Sequence, residues 1–277
     1  ITLDQHFEAK QVRVFGKMAG KGYLYKGLKS VSWCPNCETA LAEAEVEYAD
    51  HTSNSIYVKF AVDAASKSKL PAAVQDKEVA FVIWTTTPWT LPANLGVALH
   101  PDFVYEFLQV EDEPHVLVVA ESLKNAFLSA AGKAEKAVQV LATALGKELE
   151  LLECRHPFMD RLSRVINGDH VTAEAGTGCV HTAPGHGPED FEIGKVYQLG
   201  VLSPVDSRGI FTEEAGIFAG QRFDKANPLV VEHLKEKGVL LQHSTFSHSY
   251  PHCWRCKKPL IFRATEQWFA SVEGFRK

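Results

Sequence analysis

A chain of 277 residues of which 45% are hydrophobic can bury a sizeable core, which excludes a disordered tail and leaves room for one large domain or one domain with a small appendage. The net charge of −5 argues against a long nucleic-acid partner, but residues 1–33 and 246–277 each carry six Lys or Arg against two acids, so each end is +4 and the stretch between them −13. No apolar run approaches the roughly 18 residues of a membrane span, and no basic-then-apolar leader opens the chain; a cytoplasmic monomer with no membrane partner is expected.

Residues 1–46 read as a basic connector with little core to offer. It ends in the knuckle Cys34-Pro35-Asn36-Cys37 and a short Ala/Glu-rich segment. From Ser55 the alternation of Ile56, Val58 and Phe60 predicts a strand, followed by the apolar run Val79 to Trp84 and by strand candidates at 95–99, 103–111, 115–120, 137–142 and 147–153. Helical periodicity appears at 121–131, about 188–199 and 225–237, the last with Leu229, Val230, His233 and Leu234 on one face. The mixture predicts an α+β fold: a mostly antiparallel, barrel-like domain over 47–245, decorated by helices. Residues 246–277 are then a returning connector with a second knuckle, Cys253-Trp254-Arg255-Cys256. The start at Ile1 and the end at Gly274-Phe275-Arg276-Lys277 point to a piece cut from something longer. No repeat, G-x-G-x-x-G or P-loop is present, so nucleotide hydrolysis is unsupported.

Two C-x-x-C pairs offer the four thiolates of a tetrahedral zinc site, Cys34, Cys37, Cys253 and Cys256; free structural or redox thiols are the alternative. Between Cys37 and Cys253 lie 215 residues, so a shared site requires the chain ends to meet in a small ribbon-like neck. Cys154 and Cys179 stand alone, and Cys179 reads as an apolar filler rather than a nucleophile.

Two segments carry candidate chemistry. In Trp84-Thr85-Thr86-Thr87-Pro88-Trp89, Pro88 should end the strand and release the threonines at its edge, with Thr85 and Thr87 on one face and Thr86 on the other. Such hydroxyls can hold a carbonyl, a ribose or a water, or can simply belong to a Thr-rich strand before a turn. In the segment Gly176 to Phe191, glycines let backbone approach a ligand, and Pro188 suits the first position of a helix. Asp190 then lies in the first turn, where the helix dipole favours a carboxylate able to pair with an ammonium or merely to stabilise the helix. His181 lines a pocket or is a satisfied core histidine.

Together these segments resemble the editing insertion of the class I isoleucyl-, valyl- and leucyl-tRNA synthetases. The resemblance spans nearly the whole chain: the stretch Gly27 to Tyr48, the threonine segment, Gly176 to Phe191, and Pro251-His252-Cys253-Trp254 on to Phe262-Arg263-Ala264-Thr265-Glu266-Gln267-Trp268-Phe269. Thr87 before Pro88, where the valine and leucine branches resemble Thr-Thr-Arg-Pro, and His181 point to the isoleucine branch. The class I signatures His-Ile-Gly-His and Lys-Met-Ser-Lys-Ser are absent, so the resemblance implies a piece of an ATP-dependent isoleucine-tRNA ligase that edits but does not synthesise. Its partners would be the 3′ end of isoleucine tRNA mischarged with valine, the valine moiety, valyl-adenylate and the remainder of the parent synthetase. The need for editing is physical: one methylene in an apolar pocket is worth only about 1–3 kcal/mol, a limit for which the isoleucine enzyme is itself the worked case. By resemblance Asp190 holds the α-ammonium, His181 lines the side-chain pocket and excludes isoleucine, Thr85, Thr86 and Thr87 bind substrate and water, and Trp89 and Asn94 shape the site. The resemblance implies a structural zinc and no cofactor for the hydrolysis itself. A non-catalytic RNA-binding module and an esterase acting in trans are the competing readings.

Overall fold

The computed structural model describes residues 1–274 and Arg276; Lys277, counted in the basic C-terminal end, lies outside the described residues, as does Phe275. In chain order the first elements are α1 (Gln5–Gly20), β1 (Leu24–Cys34), β2 (Thr39–Ala40), β3 (Val46–Ala61), β4 (Val79–Thr85) and β5 (Gly96–Leu99). They are followed by β6 (Val104–Val110), β7 (Val116–Ala120), α2 (Lys124–Ala130), β8 (Val138–Leu145), β9 (Glu153–Arg155), β10 (Leu162–Asn167) and β11 (Cys179–Thr182). The chain closes with α3 (Pro188–Val196), α4 (Phe223–Glu236), β12 (Leu240–Cys253) and β13 (Ile261–Ala270). Among the described residues, no helix is long and apolar enough to cross a membrane.

The strands form three open sheets, in the orders β12-β3-β4-β7-β6-β8, β11-β5-β10-β9 and β13-β1-β2. Two pairs, β4 with β7 and β5 with β10, are parallel and the rest antiparallel. Alternation in β3 decides the layering: Ile56, Val58 and Phe60 enter the main core with Phe81, Ile83, Val97, Leu99 and Phe107, whereas Tyr57 points to the opposite face, where Val82, Leu108 and Phe127 of α2 bury it. Helix α4 closes the main core with Val230 and Leu234.

The expected barrel does not close. Strand β11 lies alongside β4 with no backbone ladder between them among the described residues; Thr177, just before β11, donates from Oγ1 to the Val82 carbonyl of β4 at 2.5 Å and accepts the Ala120 amide of β7 at 2.8 Å. Gly176 and Gly178, at φ of 81° and 75°, turn the chain away from strand geometry at this point. At the other edge β9 meets the end of β3 through one bridge, Val62 to Cys154, and the Asp63 N to Glu153 carbonyl bond. A ladder interrupted at both seams gives packed open sheets.

The N-terminal segment also differs from a plain connector, since α1 is a helix capped by Asp4, whose carboxylate accepts the His6 and Phe7 amides. None of its residues is buried. Strand β1 pairs antiparallel with β13 from Leu24–Ala270 to Trp33–Ile261, and β3 pairs with β12 down to Val46–Cys253. The two cysteine knuckles are thereby delivered to one place.

Candidate functional site: a threonine-lined cavity and a four-cysteine neck

Strand β4 ends at Thr85, and Pro88 opens a 3₁₀ turn over Pro88–Ala93. The released threonines hold one another: Thr85 Oγ1 and Thr87 Oγ1 are 3.2 Å apart, and the Thr87 amide donates to Thr85 Oγ1 at 3.1 Å. All three face a cavity of about 370 Å³, shared with His181 from β11 and Asp190 from the first turn of α3. The strand edge, β11 and the helix start, each read separately in the sequence, thus converge on one space.

Sequence reasoning missed Thr90, which sits beneath His181. Thr90 follows Thr87 by three residues in a 3₁₀ turn, where side chains three apart eclipse, and that spacing was the available signal. Its hydroxyl donates to the Thr87 carbonyl at 2.8 Å and lies 2.9 Å from His181 Nε2. On the ring's other side Asn94 Nδ2 donates to His181 Nδ1 at 2.7 Å and to the Gly96 carbonyl at 2.8 Å, while Asn94 Oδ1 accepts from Ser163 Oγ at 2.5 Å. Because Nδ1 accepts, Nε2 must carry the proton and donate to Thr90. Burial lowers the His181 pKa to about 3, and the nearby His186 adds to the effect, so the ring stays neutral. With both nitrogens committed, His181 offers the cavity the rest of its ring surface; it is a wall rather than a base.

Asn94 is fully buried and reaches the cavity only through His181. Arg161 fixes this turn from behind, donating to the Asn94 carbonyl at 3.1 Å and to the Pro92 carbonyl. Trp89 borders two neighbouring cavities instead, one of about 400 Å³ shared with Thr86 and Thr87 and one of about 170 Å³ shared with Thr87 and Thr90. Its ring stands edge-on to His186 and Phe223 at 4.9 and 5.2 Å.

Asp190 Oδ2 accepts the Ala183 amide at 2.8 Å. Burial pushes its pKa up to about 6, opposed by the Ala183 N–H and reinforced by Glu189. It is therefore mostly ionised at neutral pH, and a cation beside it would complete the ionisation. Gly187 leaves room for this carboxyl group: a Cβ at that position would lie 3.0 Å from the Asp190 carboxyl carbon and would press the side chain aside. Cys179 is buried in the core against the Val118 carbonyl, and burial raises its pKa, which leaves no thiolate to act as a nucleophile.

At the neck, the thiols of Cys34, Cys37, Cys253 and Cys256 lie within 4.8 Å of one another. The Cys37 amide points at Cys34 Sγ, 3.4 Å away. Glu38 and Lys257, the residues following the two knuckles, adopt matching φ values of 50° and 57°, so the pairs are two copies of one turn. Burial pushes Cys34 up to about 12, whereas Cys253, despite its burial, is brought down to about 7 by the Cys256 and Arg255 amides. Four sulfurs so placed fit one tetrahedral ion, for which zinc–sulfur bonds of about 2.3 Å imply sulfur separations of about 3.8 Å.

The family model of the tRNA synthetases class I (I, L, M and V) matches residues 1–277. The isoleucine-tRNA ligases of Desulforamulus reducens and Moorella thermoacetica are 58% and 57% identical over 277 residues, and that of Caldicellulosiruptor bescii is 55% identical over 278. All of this chain aligns with each, yet it spans only 29%, 29% and 30% of their lengths. The crystal structure of GlLeuRS-CP1 superposes with a TM-score of 0.55 at 15% identity, covering 69% of this chain and 99% of that one, which establishes a common fold.

Proposed function

The chain belongs to the class I tRNA synthetases (I, L, M and V), and on that premise we propose that it is an editing hydrolase, cleaving the ester between valine and the terminal adenosine of isoleucine tRNA. Valyl-adenylate, a mixed anhydride of the same acyl group, is the second substrate of this pocket. The observation that carries the reading is the convergence of Thr85, Thr86, Thr87, His181 and Asp190 on one cavity. Asp190 supplies the negative charge for an α-ammonium, and the immobilised His181 ring supplies a wall whose position sets the largest acyl side chain admitted.

In the hydrolysis, water adds to the ester carbonyl and the bond to the ribose oxygen breaks; one proton of the water goes to the ribose oxygen and the other to solvent, and valine leaves as its carboxylate. The threonine hydroxyls, which both donate and accept, orient water and carbonyl. His181 is not the base, since its Nδ1 is occupied and its Nε2 already carries a proton. Selectivity comes from space: isoleucine is rejected by collision with a ring that two hydrogen bonds, from Thr90 and Asn94, hold in place, a stronger sieve than the loss of one methylene contact. Cys34, Cys37, Cys253 and Cys256 would hold zinc, which would tie the two knuckles together away from the hydrolysis.

The test is valine release from valylated isoleucine tRNA, with isoleucyl-tRNA and the Asp190→Ala variant as controls. Release of valine alone, lost in the variant, is expected. Tight tRNA binding without release at saturating protein would identify a binding module instead.

A further inference from the structure

His186 takes no part in the chemistry described so far, yet it is a buried side chain beside the cavity with one ring nitrogen unpaired, as His170 on the same wall also has. The His186 Nδ1 lies 2.8 Å from the Phe262 carbonyl of β13, and since a carbonyl can only accept, Nδ1 carries the proton and Nε2 is a bare lone pair. That Nε2 is buried and has no hydrogen-bond partner, in a residue only 8% exposed. An acceptor left in this state costs free energy that a ligand supplying a donor would recover.

The surroundings indicate which donor. His186 borders the same cavity as Asp190 and Thr87. The turn that carries it wraps around the Asp190 carboxylate: the Ala183 amide donates to Asp190 Oδ2, the His186 amide to the Ala183 carbonyl at 2.8 Å, and a Cβ at Gly187 would press on the carboxyl group. Among the described residues no hydrogen bond reaches Asp190 Oδ1. One turn therefore carries two acceptors, a carboxylate oxygen and an imidazole nitrogen barred from donating, on residues that line the same cavity. A group with several N–H donors and no acceptor matches that pair. The ring is neutral, burial holding its pKa near 4, so it does not repel a cation.

We propose that His186 Nε2 is a second acceptor for the α-ammonium of the bound aminoacyl group, beside Asp190. The assignment rests on the editing reading but concerns binding, so it can be tested without hydrolysis. The probes are 3′-valylamino-3′-deoxyadenosine, in which an amide replaces the labile ester, and its counterpart with hydrogen in place of the α-amino group. Any structural cost of a substitution is common to both ligands, and the ratio of their affinities isolates the ammonium contact. His186→Phe keeps an aromatic ring against Trp89 and should cut the preference for the ammonium ligand about tenfold, as for a hydrogen bond to a charged group.

An unchanged ratio overturns the role of His186 while leaving Asp190 as the ammonium site. If the unsubstituted chain shows no preference between the ligands, the cavity holds no ammonium and both assignments fall. A measurement that needs no variant guards against misfolding: the ¹⁵N resonance of His186 Nε2 should shift with the ammonium ligand and not with its counterpart. A resonance that stays in place with both overturns the proposal.

Discussion

The cavity and the neck solve opposite problems with polar side chains. Around His181 each hydrogen-bonding atom has a partner within the protein, through Ser163, Asn94, Gly96, Thr90 and Thr87, so the wall keeps its shape with or without a guest. At the neck the four thiols have mainly one another, and neutral thiols are weak donors and acceptors. One region is organised by its own hydrogen-bond network; the other gathers four sulfurs that suit a single metal ion.

If that contrast holds, removing a ligand atom should harm the neck most. Cys253→Ser, or stripping the unsubstituted chain with a chelator, should abolish stoichiometric zinc in elemental analysis and lower the Tm by on the order of 10 °C. Chelation with no change in Tm would show that the neck is already complete without metal.

The next largest effect belongs to the cavity wall. Asn94→Ala strands Ser163 Oγ, the Gly96 carbonyl and His181 Nδ1 together, and should cost about 2–4 kcal/mol in denaturant unfolding. Because the ring is then free to move, isoleucine release should rise relative to valine release. Loss of stability without any loss of selectivity would mean that the ring's position does not set the sieve.

Asp190 sharpens the comparison with an effect of opposite sign. Its folded pKa of about 6 lies above its ordinary value of 3.8, so between those values the folded state binds more protons and stability falls as pH rises. Asp190→Asn should therefore stabilise the free chain at pH 7 by on the order of 1–3 kcal/mol while reducing valine release to a small remainder. A variant that is both inactive and less stable would contradict the assigned desolvation.

The smallest effect is the pH profile itself. With subsaturating valyl-tRNA, release should decline as pH falls through about 6 and Asp190 is protonated. In Asp190→Asn the remaining activity should lack that limb, and a limb that persists would have to come from another group.

The two regions also differed in how far the sequence disclosed them. The neck was legible because two C-x-x-C pairs encode a local geometry, and the strand alternation of Ile56, Val58 and Phe60 disclosed the core face in the same way. Pro88 marked the end of β4 correctly, since a missing amide is a local fact. The hydrogen bonds that fix His181 are not local: Asn94 and Thr90 are 87 and 91 residues from it, and the His186 anchor on Phe262 spans 76. No spacing rule carries such pairings. The barrel was over-read for a related reason, because short strands reveal neither whether their edges meet nor that Gly176 and Gly178 turn the chain at the seam. Helix α1 was missed although Asp4 is a capping residue and Phe7, Val14 and Met18 fall at helical spacing; a basic, Gly-dotted segment with no buried face gave the core-based reading nothing to grip.

The meeting of the two knuckles has a consequence for the unfolded chain. An ion gripped by Cys34, Cys37, Cys253 and Cys256 fastens together points separated by 215 residues, and a cross-link closing a loop of that length withdraws conformational freedom worth on the order of 5 kcal/mol. A denatured chain that kept its metal would remain a ring, with fewer arrangements to search and the β1–β13 and β3–β12 pairings already near register. The clasp would then act before the fold exists, as a guide to refolding rather than only as a brace for the finished structure.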